Sequence, residues 1–288
     1  MFTIDFIGIG AGKCASTWIF KCLLEHPEIS GPTQKELKFF DSVHQWNKGK
    51  DYYLSLFPQE RPNAVHGEFS PGYLPSRDAA NRIKEWFPNV KLLVTLRNPR
   101  DKMYSTYWSN KIGGRGSLAV FDTFEEAYTA VPEMIENAMY GKQLEYYFSL
   151  FPRENFHITF YEDVVVNPEQ VMRDIYTFLN IDPNFVAPST RCDVNETGAK
   201  KIKYPVLMRF IYGTYWKLKR MKWWSIVRRF IDTRRVAVVL QKFGVGKGGE
   251  KIKKPEMSSE TVSHLKQVFA EDIALLEKLT GRDLSTWK

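Results

Sequence analysis

With 288 residues, 43% of them apolar and 26% charged, the chain can bury one sizeable core and is not disordered throughout. Cysteines at 14, 22 and 192, without CxxC spacing, argue against structural zinc and a dense disulfide framework and suit a reducing cytoplasm. The formal charge of +8 is unevenly held: Lys200 to Lys254 carries 17 Lys/Arg against Asp232 and Glu250, a local +15 that leaves −7 elsewhere and suits an anionic ligand, substrate or surface.

MFTIDFIGIG carries Asp5, lacks a basic leader and runs into glycines, so it reads as a buried strand over 2–9 and not as a signal peptide. A tight loop over 10–15 follows, then a helix from Ser16 to Glu25, stopped before Pro27. A second strand is expected around Ala64 to Phe69, a helix from Arg77 to Trp86, a buried strand from Lys91 to Leu96 and a further helix over Asp101 to Trp108. Glu133 to Leu150 reads as one helix, FHITF at 156–160 as a strand and Pro168 to Leu179 as the helix after it. Ser259 to Leu279 predicts a last long helix with Gly281 as its C-cap. Alternating strands and helices predict an α/β fold, a single domain over 1–288 whose mostly parallel central sheet is flanked by helices. Such sheets place ligands at the carboxyl ends of their strands. The basic stretch at about 200–254 is expected as a less regular insertion into this domain.

Chemistry concentrates in three places. In GIGAGKCASTW, Gly8, Gly10 and Gly12 permit close backbone approach, Lys13 brings a cation, and Ser16 and Thr17 bring hydroxyls to the free N–H groups of a new helix. That set suits a phosphate, and equally a tight strand-to-helix turn with Lys13 in solvent. It is not a Walker A loop, because Ile7 and Cys14 stand where that pattern needs glycine and a hydroxyl. LRNPRDKMYSTYW adds Arg97 at a strand end and Ser105 further along a helix, a fork and a hydroxyl suited to a second phosphate. KELKFFD, 35–41, offers Glu36; a lone glutamate on a charged segment is otherwise an ordinary exposed residue.

Taken in order, these segments resemble the sulfotransferase family that uses 3′-phosphoadenylyl sulfate (PAPS), and its bacterial and heparan-sulfate branches more than the small-phenol branch. KCASTW resembles the family's KxGTTxL site for the 5′-phosphosulfate, with Ala15 in place of a glycine. The resemblance implies donor contacts from Gly12, Lys13, Cys14, Ala15, Ser16, Thr17 and Trp18. LRNPRDKMYS resembles the 3′-phosphate site, implying Arg97 and Ser105 there. KELKFFD resembles KExHFFD, implying Glu36 as the base, Asp41 in support and Lys38 where that pattern has histidine. GEFSPGYL resembles GEKSPxYF, which implies that Glu68, Ser70 and Tyr73 line the acceptor cleft, with Phe69 in place of a lysine. VNETGAKKIK resembles a cofactor-covering loop, implying donor contacts from Lys200, Lys201 and Lys203.

The implied activity is transfer of a sulfuryl group from PAPS to a hydroxyl, less readily an amine, of a small-molecule, glycan or lipid acceptor. PAP is the product, no metal is required, and Lys13 supplies electrostatic stabilisation. His66, which falls on the acceptor side, and His44 are alternative bases, because neutral imidazole accepts a proton near pH 7. The cation and aromatic interleaving from Tyr212 to Phe230 suits an acceptor cleft, a basic helix or a peripheral membrane contact. Two competing functions are a P-loop nucleotide kinase, which needs a magnesium arrangement, and a basic nucleic-acid binder, which needs a reading element. Neither has its required element in the sequence.

Overall fold

The computed structural model describes residues 3–58, 61, 63–113, 117–192 and 254–288. The chain forms two compact units: Met1–Lys102 with Glu136–Glu196 and His264–Lys288, and Met103–Ile135 with Thr197–Ser263.

The first unit is built on a five-stranded sheet: β1 (Phe6–Gly10), β2 (Ile29–Ser30), β3 (Val65–Phe69), β4 (Lys91–Leu96) and β5 (Phe156–Phe160), in the order β2-β3-β1-β4-β5. Every pairing is parallel. Parallel strands need crossovers, so helices cover the sheet, and strands buried on both faces lose the apolar/polar alternation of a half-exposed strand. FIGIG and KLLVTL are of this kind: all of β1 and all but the first residue of β4 are buried.

The crossovers carry α1 (Ser16–Glu25), the short α2 (Val43–Trp46) and α3 (Gly49–Leu54), and α4 (Arg77–Trp86). The helix α5 (Pro99–Gly113) starts in this unit and runs into the second, which holds α6 (Phe124–Ala130). The single helix expected over 133–150 is two, α7 (Glu133–Glu136) and α8 (Tyr140–Leu150). The break has a long-range cause. Asp272, on the final helix, accepts the first-turn amides of Gly141 and Lys142, both at 2.9 Å, and a Cβ on Gly141 would lie 2.5 Å from the Asp272 carbonyl. After β5 come α9 (Tyr161–Val166) and α10 (Pro168–Leu179); the last helix is α11 (Ser259–Thr280), after which Gly281 takes a φ of 69°.

The core on one side of the sheet packs Trp18, Ile19, Cys22 and Leu23 of α1 and Val171, Ile175, Tyr176 and Leu179 of α10 against Phe6, Phe69 and Leu93. Their spacing is that of one helical face turned to the sheet. Among the described residues no helix is long and apolar enough to cross a membrane.

Candidate active site

The loop after β1 is held by buried glycines, but not as their number suggests. Gly8 and Gly10 lie within β1, where a Cβ would sit 2.2 Å from the Phe69 ring and 2.6 Å from Leu74 Cβ; they are there for packing. Gly12 alone belongs to the open loop, its nearest contact for a Cβ being Pro71 at 3.8 Å. The left-handed torsions fall instead on Lys13 (φ 69°) and Ala15 (φ 68°). Alanine is strained there, which gives a physical reason for the glycine in the related KxGTTxL pattern. Ala15→Gly should therefore raise stability by about 0.5–1 kcal/mol, since strain relief outweighs the added freedom of the unfolded chain. An unchanged or lower denaturant midpoint would contradict this.

Ala15 is the N-cap of α1, makes no side-chain cap, and no acidic residue occupies the first turn. The helix start thus presents N–H groups and the positive end of its dipole without an internal counter-charge. Lys13 and Thr17 are exposed around it, while Ser16 is only 5% exposed. Two expected donor residues turn their side chains elsewhere. Trp18 Nε1 donates to the Ser189 carbonyl at 2.9 Å within the core. Cys14 is buried with its Sγ 3.8 Å from the Tyr140 hydroxyl, and burial pushes its thiol up to about 12, so it is no nucleophile. Both residues offer the loop only backbone groups.

KELKFFD is neither helix nor strand. Glu36 and Lys38 both hold left-handed torsions, φ 60° and 50°, on either side of the buried Leu37. Such torsions in non-glycine residues persist only where the surroundings impose them. Here the anchors are Phe39 and Phe40, fully buried against Tyr53 with ring centroids 4.8 and 5.0 Å away, and Arg82, which donates to the Phe40 carbonyl at 2.6 Å. With the aromatics inside, Glu36 and Lys38 are outside, their side chains 37% and 63% exposed.

The two segments meet through a residue to which sequence reading assigned no role. Lys35 Nζ donates to Thr17 Oγ1 at 2.9 Å and to Glu36 Oε1 at 3.2 Å, while Lys38 Nζ lies 3.5 Å from Glu36 Oε2. The start of α1, two ammonium groups and a carboxylate therefore share one point. Nothing in the sequence marked Lys35 beyond its place beside Glu36, because Thr17 is eighteen residues away.

Four other acceptor-side candidates are fully buried: Glu68, Phe69, Ser70 and Tyr73, each 0% exposed. Phe69 is a core residue against Phe20 and Gly8. Glu68, Ser70 and Tyr73 form a hydrogen-bonded cluster beneath KELKFFD and do not line an open cleft. His66 lies near the amino end of β3, 2% exposed, with Nε2 3.1 Å from the Arg61 carbonyl, and burial lowers its pKa; Lys35 and Glu36 instead lie on the segment beyond the carboxyl end of β2, which runs parallel to β3. Asp41 is exposed and leans over Gly72, where a Cβ would lie 2.7 Å from its Oδ2; partial desolvation raises its carboxyl pKa. His44 is exposed on α2.

Arg97 stands at the carboxyl end of β4, its guanidinium 4.2 Å from the centre of the Tyr161 ring. Its Nε is buried without a hydrogen-bond partner among the described residues, an arrangement that fits an anionic ligand such as phosphate. Asn98 shapes the exit from the strand: its amide donates to Glu162 at 3.4 Å and its side chain accepts from Arg100 N at 3.1 Å. Ser105 lies on α5 within the second compact unit. Lys200, Lys201, Lys203 and the basic stretch to residue 254 lie outside the described residues, apart from Lys254 itself.

A parallel α/β sheet with an uncapped helix start after β1 and an arginine after β4 defines a P-loop-like α/β fold whose strand ends carry groups suited to an anion. The sulfotransferase domain model matches residues 4–203, and the chain belongs to the sulfotransferase family. It is 25% identical over 183 residues to human heparan sulfate glucosamine 3-O-sulfotransferase 5, covering 61% of this chain and 53% of that protein. It is likewise 25% identical over 199 residues to the mouse bifunctional heparan sulfate N-deacetylase/N-sulfotransferase 4, covering 62% of this chain and 22% of that one. The chain thus spans about half the length of the first relative and about a fifth of the second. In fold it is similar to a sulfotransferase from Alicyclobacillus acidocaldarius, with a TM-score of 0.70 at 23% identity over 100% of this chain and 99% of that one. A mouse sulfotransferase solved in complex with PAP gives 0.52 at 10% identity, over 97% and 89% of the two chains.

Proposed function

We propose that the protein transfers the sulfuryl group of PAPS to a hydroxyl, less readily an amine, of a carbohydrate or lipid acceptor. The observation that carries this reading is the Lys35 ammonium bridging Thr17 and Glu36, because it puts an anion-binding helix start, positive charge and a proton acceptor at one place. In this reading the backbone of Gly12 to Thr17, with Lys13, Ser16 and Thr17, holds the 5′-phosphosulfate. Arg97 takes the 3′-phosphate, and the family resemblance adds Ser105, Lys200, Lys201 and Lys203 as further donor contacts. The acceptor oxygen attacks sulfur as its proton passes to Glu36, the bond from sulfur to the phosphate oxygen breaks, and PAP leaves with the bond's electron pair. Lys13 and Lys35 carry positive charge where negative charge gathers on the leaving phosphate and the transferring group.

The named relatives support a glycan acceptor by their heparan sulfate titles. Phe69 argues against the same glycan, since the lysine of the related GEKSPxYF pattern is replaced here by a core side chain. The three cysteines are free thiols, which supports a cytoplasmic setting, with the basic stretch as a peripheral membrane contact.

The test is calorimetric titration with PAP and with ATP, followed by a screen of hydroxylated glycans, lipids and metabolites with PAPS, read by mass detection of sulfonation. Binding of PAP in preference to ATP and a sulfonated product are expected. No affinity for PAP, or binding of ATP alone, would overturn the reading.

A further inference from the structure

The cluster beneath KELKFFD holds a carboxylate that the transfer reaction does not use directly. Glu68 is fully buried and accepts three hydroxyls: Ser70 Oγ at 2.6 Å on Oε2, and Tyr73 and Tyr53 at 2.8 and 3.2 Å on Oε1. Two of those hydroxyls are themselves acceptors. The Lys38 amide donates to Ser70 Oγ at 3.1 Å, and the Phe39 amide donates to the Tyr73 hydroxyl at 2.9 Å. Each hydroxyl can turn its oxygen to the amide because its own proton points at Glu68. We propose that Glu68 is a positioning residue: ionised, it orients Ser70 and Tyr73 to receive the Lys38 and Phe39 amides, and so fixes the left-handed turn that presents Glu36 and Lys38.

Proton counting gives the consequence. An ionised Glu68 takes three O–H donors and offers none. A protonated Glu68 brings a fourth proton that needs an acceptor, and beside its Oε2 that acceptor is Ser70 Oγ; accepting it turns the serine's own proton off the carboxyl group and takes up a lone pair beside the one given to the Lys38 amide, so the grip on the segment weakens. The groups facing Glu68 are Tyr53 from α3, Ser70 and Tyr73 from the loop after β3, and, through space, Asp41 from the end of KELKFFD. Burial raises its pKa to about 7, the three hydroxyl bonds opposing that rise and the Asp41 charge adding to it. With Glu68 buried in both cases, the gripped arrangement favours its charged form and so has the lower pKa of the two; the grip is therefore lost as the pH falls through about 7, whereas burial of the charge costs the fold as a whole as the pH rises. That this order serves transfer rests on the function proposed above; the order itself does not.

Hydrogen–deuterium exchange of the 35–41 segment between pH 6 and 8, corrected for intrinsic rates, tests the proposal, with PAP titrated into the same samples. In the wild type, protection of the Lys38 and Phe39 amides should fall as the pH drops through about 7. Glu68→Gln, whose amide adds a donor to a site already full of them, should lose that protection about tenfold or more at every pH while still binding PAP. Tyr53→Phe removes one hydroxyl bond to the carboxylate while keeping the ring that packs on Phe39 and Phe40, and should move the wild-type midpoint up by about 0.5–1 pH unit. Should Glu68→Gln fail to fold, the Tyr53→Phe midpoint decides. Unchanged protection in Glu68→Gln, or an unmoved midpoint in Tyr53→Phe, would overturn the role given to Glu68. Loss of PAP binding by the wild type would count against the transferase reading alone, with the exchange data still deciding the role of Glu68.

Discussion

Glu36→Gln should lower turnover by about 10²–10⁴-fold while leaving the affinity for PAP unchanged, because it removes a proton acceptor and little else. The substitution keeps the shape of a side chain only 37% exposed and leaves the buried anchors Leu37, Phe39 and Phe40 in place. In the proposed reading the nucleotide is held by other residues, so binding and chemistry should separate. Lys35 is the point of coupling. It loses a carboxylate partner in the variant but keeps Thr17 Oγ1 at 2.9 Å, so the loop retains its cation. Single-turnover kinetics beside calorimetry would make the comparison. Turnover that survives with binding intact would remove Glu36 from the role of base and leave the exposed His44 as the next side chain to test.

The parts of this site read from the sequence are those whose physics is local. β1, its loop and α1 follow from an apolar run broken by glycines before Ser16. β4 and β5 follow from buried runs bounded by turn residues. Features set by distant partners were not legible. The two residues of β2 have no period to detect, and α8 begins where it does because of a carboxylate 131 positions away. The positive torsions show the same limit. Glycine spacing pointed to Gly8, Gly10 and Gly12, whereas Lys13 and Ala15 adopt the left-handed region. Glu68, Ser70 and Tyr73 read as cleft residues because GEFSPGYL resembles GEKSPxYF, a likeness of residue types that says nothing of their burial. Here they satisfy one another and two backbone amides, so burial costs them no hydrogen bonds.

Arg97→Met should weaken PAP binding by about 10–100-fold, the loss of a charge-assisted hydrogen bond of about 1.5–3 kcal/mol. It should hardly change the affinity for adenosine 5′-phosphate, which lacks the 3′-phosphate. The structure favours this division over a general loss of nucleotide binding. Arg97 closes β4, whereas the helix start that would receive the 5′ end follows β1, and the methionine stem retains apolar contact with the Tyr161 ring, now 4.2 Å from the guanidinium. An arginine that merely stabilised the strand end would weaken both nucleotides together and lower the unfolding midpoint. An arginine in solvent would leave both affinities unchanged. Calorimetric titration of both nucleotides into wild type and variant distinguishes the three cases, and only collapse of the PAP preference supports phosphate recognition. The Arg97 Nε is what makes that collapse the expected result: a buried donor without a partner among the described residues pays its desolvation in the free protein and recovers it when phosphate arrives.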